Sequence, residues 1–133
     1  MSESNFWTLI RNNLNLKMYR VENKVMKGMP DVHYIKDGKS GWLELKYIDK
    51  WPKKRVTTGL MLNQALWLDE YAKNNGNCWI LIRVARDFIC LIKGENAKII
   101  YKRLSSSDFF EYVRWSKKGN MSSEDWQELS DII

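Results

Sequence analysis

An Asp37-Gly38 pair between two strand-like runs is the feature that most constrains how this chain folds. Asp-Gly in this setting favours a two-residue hairpin loop. With such a loop Lys36 pairs with Lys39, and counting outward brings Asp31 directly opposite Glu44, with Cβ atoms about 5 Å apart. A four-residue loop would slide the pairing by two residues and keep both acids on one face, whereas an odd slip would separate them.

Lys46 adds an ammonium group to the same face, because it follows Glu44 by two residues and so lies about 6.6 Å farther along the strand. Two close carboxylates repel each other unless a positive charge neutralises them, and a hard divalent cation does so. Mg²⁺ prefers carboxylate, water and phosphate oxygens, and an ammonium nearby can orient or deprotonate an attacking water. The spacing indicates a metal-dependent site, with a solvent-facing hairpin carrying ordinary surface charges as the alternative.

The motifs Pro30-Asp31 and Glu44-Leu45-Lys46 resemble those of the PD-(D/E)XK nuclease superfamily. Within it the chain is similar to the VRR-NUC nucleases and to the archaeal-type and phage Holliday junction resolvases. Gly28, before the Pro-Asp pair, and Gln64, on the next expected helix, fit the same pattern. The resemblance covers Glu3 to Val84 and implies an α/β fold, with a restriction-endonuclease-like core in which helices flank a mixed central β-sheet.

The resemblance also implies roles for individual residues. Asp31 and Glu44 bind Mg²⁺, with Mn²⁺ as a substitute, and the Leu45 main-chain carbonyl is a further candidate ligand. Lys46 positions the attacking water, and Gln64 assists at the active site. The reaction implied is hydrolysis of DNA phosphodiester bonds.

Two polar residues lie on helix stripes that are otherwise apolar. Glu3 is one turn before Trp7, where it either complements the helix dipole or, by the resemblance, supplies an additional acid to the metal. Glu22 is the rival for that role. Gln64 shares a stripe with Leu68, so its amide is expected to point inward, as a satisfied core amide or as the active-site helper.

A basic run follows the expected catalytic strand directly. Lys50, Lys53, Lys54 and Arg55 are placed to hold phosphates that flank the scissile bond, and Trp51 to stack on an exposed base. The alternative is a solvated charged loop. The whole chain carries 22 Lys and Arg against 16 Asp and Glu, a net charge of +6, which favours a polyanionic partner.

Periodicity and turn signals predict an α/β order in one domain spanning residues 1–133. Helices are expected over residues 3–14, Leu60 to Asn74 and, as short C-terminal helices from about residue 107, Ser107 to Lys117 and Ser122 to Ile132. Besides the hairpin, strands are expected over Met18 to Val25 and Cys78 to Val84, with edge strands over Phe88 to Ile92 and Lys98 to Lys102.

Cysteine usage and hydropathy favour a cytoplasmic protein, with a phage genome as one candidate source. Cys78 and Cys90 lie in strand-like runs without metal-site spacing, so we expect buried reduced thiols. The first residues lack the sections of a signal peptide, and no apolar run approaches the length of a membrane span, so no membrane partner is expected.

The sequence therefore predicts a Mg²⁺-dependent endonuclease acting on branched DNA, most simply a Holliday junction resolvase. The alternatives are a nickase or single-strand or flap nuclease without junction selectivity, a non-catalytic DNA-binding module, and a protein-interaction subunit. The resembling resolvases are symmetric dimers, so we expect a homodimer, with Trp115 and Trp126 as candidates for its contact.

Overall fold

The computed structural model describes residues 2–22 and 26–133, over which helices and strands form a mixed α/β arrangement. The elements are, in chain order, α1 (Glu3–Asn13), β1 (Lys17–Arg20), β2 (Val32–Lys36), β3 (Lys39–Ile48), β4 (Arg55–Val56), α2 (Leu62–Lys73), β5 (Asn77–Val84), β6 (Phe88–Lys93), α3 (Ala97–Tyr101), β7 (Leu104–Ser105), α4 (Ser106–Glu111), β8 (Val113–Lys118) and α5 (Ser123–Ile132). A single 3₁₀ turn, Gly94–Asn96, precedes α3.

Six strands form one sheet in the order β1-β2-β3-β5-β6-β8. Strands β3 and β5 are parallel and are joined by α2, whereas every other neighbouring pair in this sheet is antiparallel. A parallel pair needs a long crossover, and α2 supplies it. The expected mixed sheet flanked by helices is confirmed. Strands β4 and β7 form a separate two-stranded ribbon.

Helices α1 and α5 cover one face of the sheet. The hydroxyl of Ser2 caps α1 by accepting from Asn5 N–H, and Phe6 and Ile10 one turn apart are fully buried. They share a core with Trp126 and Leu129 of α5 and with inward-facing strand residues. Trp126 is therefore part of the core, and the expectation that it forms a dimer contact is wrong.

Helices α2, α3 and α4 cover the opposite face. Leu68 of α2, Ile100 of α3 and Phe109 of α4 pack there on β5 and β6, whose residues are buried on both faces. Cys78 and Cys90 are free and buried, as expected, and burial raises the pKa of each thiol to about 12. Both thiols are therefore protonated at neutral pH.

The segment from Lys98 to Lys102 is not an edge strand, because Ala97–Tyr101 forms helix α3. Its β-branched isoleucines favour a strand locally, but the two fully covered residues, Ala97 and Ile100, are three positions apart. This is helical spacing, and it places both side chains against α2. Packing against α2 overrides the local preference.

The helix expected from Ser107 to Lys117 is correct only in its first half. Helix α4 ends at Glu111, and Val113–Lys118 continues as strand β8, paired with β6. Trp115 lies on this strand rather than on a helix, partly buried against the core. Because β8 covers it, Phe88–Lys93 is a strand as expected but not an edge strand.

The remaining predicted elements agree with the structure within a few residues. The first strand spans Lys17–Arg20, and the part of its predicted range over residues 23–25 lies outside the described residues. Among the helices of residues 2–22 and 26–133, none has the length and apolar composition needed to cross a membrane.

The pairing of Tyr34 with Gly41 holds β2 and β3 in register. A Cβ at position 41 would clash with the Tyr34 ring, which packs directly over the glycine. We expect Gly41→Ala to lower the free energy of unfolding by about 1 to 3 kcal/mol in urea titrations, because the ring must move. The neighbouring exposed residue provides the control: Ser40→Ala should change stability by less than about 0.5 kcal/mol. Equal stability of the two variants would contradict this packing.

Candidate active site

The β2–β3 hairpin has the register that the sequence predicts. Lys36 pairs with Lys39, and Asp37 and Gly38 both have positive φ, 51° and 77°, as a two-residue hairpin loop of this type requires. The register continues through Val32 opposite Leu43, so the next position outward places Asp31 beside Glu44. The short loop thus fixes which acids meet.

Three carboxyl groups converge at this end of the hairpin. One oxygen from each of Glu3, Asp31 and Glu44 lies within 4.8 Å of the others. They come from the first turn of α1, the residue before β2 and the middle of β3. The Leu45 N–H donates to Oδ2 of Asp31 at 3.0 Å. This bond holds Asp31, which precedes β2, against strand β3.

Glu44 is the most constrained member of the cluster. It is 1% exposed, and neither of its carboxyl oxygens has a hydrogen-bond partner within residues 2–22 and 26–133. The Lys46 Nζ lies 3.4 Å from Oε1, close enough for an ion pair. Burial, with repulsion from Asp31, raises the pKa of Glu44 to about 8, although Lys46 opposes this rise. Burying a carboxyl group without hydrogen bonds costs free energy of folding, which a further partner would reduce.

A divalent cation fits this arrangement. Glu3, Asp31 and Glu44 offer hard oxygen ligands at short separations, and a cation would give the Glu44 oxygens a partner in addition to the Lys46 ammonium. The Leu45 carbonyl remains a predicted further ligand. No histidine or cysteine, the nitrogen and sulfur ligands typical of zinc sites, belongs to this cluster of described residues.

Glu3 reaches the cluster by a different route from the one predicted. Glu3 is an exposed residue and does not lie on the buried face of α1. Its carboxyl group is nevertheless partly covered where it meets the other two acids. This burial raises the pKa of Glu3, with Lys46 and Arg20 lowering it and Asp31 raising it. Glu22, the alternative acid, is exposed and does not belong to the cluster.

The start of α2 lies against the loop that carries the Pro-Asp motif. Gly28 has a φ of +92°, and a Cβ there would sit 2.5 Å from the Asn63 carbonyl oxygen, so the close approach requires glycine. Gln64 is partly buried, and its side-chain oxygen accepts from the Met61 N–H at 2.9 Å. Its amide therefore caps α2 locally, and its role in catalysis remains a prediction.

The basic run after β3 divides into two kinds of residue. Lys50, Lys53, Lys54 and Arg55 are exposed, as phosphate contacts require. Trp51 is partly buried: its ring packs against several phenylalanine rings, and its Nε1–H donates to Ser106 at 3.1 Å. This placement makes Trp51 an anchor for the loop, and its stacking on a base remains a prediction.

Two basic residues beside this loop were not singled out from the sequence. Lys102 and Arg103 follow α3, and the β4–β7 ribbon brings them next to Arg55, whose guanidinium donates to the Arg103 carbonyl at 3.1 Å. Because the paired segments are about 48 residues apart in the chain, no local pattern reveals this neighbourhood. The sequence shows only that Lys102 and Arg103 are basic, and not that they lie near the loop.

The six-stranded sheet and its flanking helices form a mixed α/β fold, and a solved structure shares this fold. The chain is similar to Archaeoglobus fulgidus Hjc, a Holliday junction resolvase from an archaeal hyperthermophile, with a TM-score of 0.53. The sequences are 10% identical, and the alignment covers 95% of this chain and 96% of that one. No protein-family model matches the chain, and no curated protein matches its sequence. The expected resemblance in fold is confirmed.

The raised pKa of Glu44 predicts how stability depends on pH. In the unfolded chain a glutamate loses its proton near pH 4.3, whereas folded Glu44 holds it up to about pH 8. The free energy of unfolding of metal-free wild type, relative to that of Glu44→Gln, is therefore highest below pH 4. It should fall as pH rises to about 8, by at most about 1.4 kcal/mol per pH unit. Urea unfolding in EDTA across this range measures the difference.

Metal provides the second arm of this experiment. At pH 8, millimolar Mg²⁺ or Ca²⁺ should raise the melting temperature of wild type and of the exposed-site control Glu22→Gln, but not that of Glu44→Gln. Parallel pH curves for wild type and Glu44→Gln, together with equal metal responses, would show that the Glu44 carboxylate is neither strained nor a metal ligand.

Proposed function

We propose that this protein is a Mg²⁺-dependent endodeoxyribonuclease that hydrolyses phosphodiester bonds of branched DNA, in the manner of a Holliday junction resolvase. The observation that carries the proposal is the buried Glu44 carboxyl group, without hydrogen-bond partners in the described chain and clustered with Glu3 and Asp31. Lys46 lies beside it, on a fold similar to that of a resolvase. A structural hairpin has no need of this combination.

The residues divide the work of the reaction among them. Glu3, Asp31 and Glu44 would hold the ion, and Mn²⁺ would substitute for Mg²⁺. Bound there, the ion would stabilise charge on the scissile phosphate and on the leaving oxygen. Lys46, whose ammonium lies 3.4 Å from Glu44, orients the water that attacks phosphorus in line as the bond to the 3′ oxygen breaks. The Leu45 N–H fixes the Asp31 carboxylate.

DNA as the substrate is supported by charge. The chain carries a net charge of +6, and exposed Lys50, Lys53, Lys54 and Arg55 follow the strand that bears Glu44 and Lys46. Lysine and arginine contacts to phosphates supply most of the sequence-independent affinity for DNA. A protein that only binds DNA would gain nothing from a buried carboxyl group whose oxygens lack hydrogen-bond partners in the described chain, so catalysis explains more of the site.

Cleavage should depend on three residues and on the ion. We expect Asp31→Ala, Glu44→Ala and Lys46→Ala each to reduce the cleavage rate in Mg²⁺ by about 100-fold or more, because each removes a group that acts on the reacting atoms. Circular dichroism should show that the variants remain folded, and Ca²⁺ should support DNA binding without turnover. Wild-type rates in two of the three variants would refute the site assignment.

The additional acid is tested by a matched pair of variants. Glu3→Gln should reduce cleavage, because Glu3 contributes an oxygen to the cluster, whereas Glu22→Gln should leave the rate unchanged. Loss of activity only in Glu22→Gln would reverse the assignment.

Junction selectivity and dimerisation form the finer part of the proposal. A four-way junction offers two equivalent strands, and a two-fold dimer presents two identical sites to them. We therefore expect a homodimer that nicks opposing strands near the branch point. Light scattering should give twice the 15.9 kDa chain mass, and gels should show faster cutting of a four-way junction than of flap, duplex or single-stranded DNA.

A different result would favour a general nuclease. A monomer that cuts linear duplex or single strands as fast as junctions would rule out a resolvase. The proposal of metal-dependent phosphodiester hydrolysis would be unaffected.

A further inference from the structure

The β4–β7 ribbon joins two basic segments that are far apart in the sequence. Arg55 and Val56 pair with Ser105 and Leu104, and the Arg55 guanidinium donates to the Arg103 carbonyl. The loop after the catalytic strand is thereby held beside the turn after α3. Because Arg103 uses its main-chain carbonyl in this bond, its own side chain is left to act elsewhere.

A groove of about 390 Å³ opens between these segments. Thr57, Thr58 and Gly59 line one side, and Tyr101, Lys102 and Arg103 line the other. None of the described residues lining the groove is acidic, and within residues 2–22 and 26–133 neither Lys102 nor Arg103 forms an ion pair. The groove therefore presents two uncompensated positive charges beside two hydroxyl groups.

One wall of the groove adjoins the acid cluster. A Cβ placed on Gly59 would lie 4.0 Å from Cδ of Lys46, whose Nζ is 3.4 Å from the Glu44 carboxylate. Within this wall the hydroxyl of buried Thr58 accepts from the Leu60 N–H at 3.1 Å. The groove therefore lies close to a DNA strand whose scissile phosphate is at the acid cluster.

We propose that this groove binds the DNA backbone next to the scissile phosphate, with Lys102 and Arg103 contacting phosphate oxygens. The half-exposed ring of Tyr101 lies against a sugar or an unstacked base at the same place. The inference rests on the proposed nuclease function and adds a second binding segment to the basic loop. It assigns binding, not chemistry, to these residues.

The test compares two variants that each lose two positive charges. Lys102→Gln/Arg103→Gln removes the groove cations and leaves the main-chain bond from Arg55 in place. The control, Lys39→Gln/Arg114→Gln, removes two exposed cations near the other end of the sheet, where β3 and β5 begin and β6 ends. Fluorescence anisotropy in Ca²⁺ measures the affinity for four-way junction and duplex DNA as a function of salt.

Loss of two phosphate contacts should weaken binding about tenfold near 0.1 M salt and make the slope of log K against log salt shallower by about 1.5 to 2. The control variant should retain most of the wild-type affinity and most of the wild-type salt slope. The Mg²⁺-induced rise in melting temperature should be the same in all three proteins, which shows that the acid cluster is intact.

The outcomes separate this inference from the proposed function. If wild type binds DNA and the two variants lose affinity and salt dependence equally, the groove is not a backbone site, and the nuclease proposal stands. If wild type binds no DNA in Ca²⁺, the proposed function and this inference are both overturned.

Discussion

The burial of Glu44 beside Asp31 and Lys46 is the constraint on which the rest of this molecule depends. A carboxyl group that is 1% exposed, without hydrogen-bond partners in the described chain, resists ionisation, and its pKa rises to about 8. The lysine offsets only part of this cost. A cation held between Glu44, Asp31 and Glu3 would offset the remainder. Relief of this electrostatic cost on binding would therefore add to the affinity for metal.

The surrounding fold serves to hold that strained group in place. The two-residue loop at Asp37-Gly38 sets the register, and the Tyr34 ring over Gly41 holds it. On one face α1 brings Glu3 to the cluster, and on the other the loop before α2 places Gly59 against Lys46. Displacing the register by one residue would turn Glu44 to the opposite face and dismantle the site.

The sequence predicted those parts of the structure that local signals determine. The hairpin loop, the apolar stripe of α1 and the crossover helix before β5 each depend on nearby residues, and together they placed Asp31 opposite Glu44. The misses occur where distant partners decide the outcome. Ile100 became helical because α2 packs on it, and Trp115 joined a strand because β6 offered an edge. Local propensity does not include such partners.

The same limit explains the differences at the site. Trp51 looks like a free stacking residue in the sequence, but Phe109 and Phe110, nearly 60 residues later, pack against its ring. Lys102 and Arg103 became visible as site neighbours only through the β4–β7 ribbon.

The proposed nuclease site requires one divalent ion, held by Glu3, Asp31 and Glu44. Anomalous diffraction from crystals grown with Mn²⁺ measures this directly. We predict a strong peak about 2.1 Å from carboxylate oxygens of these residues, and its loss in Glu44→Gln crystals. Saturating Mn²⁺ with no peak at this cluster, or with the peak at another place, would contradict it.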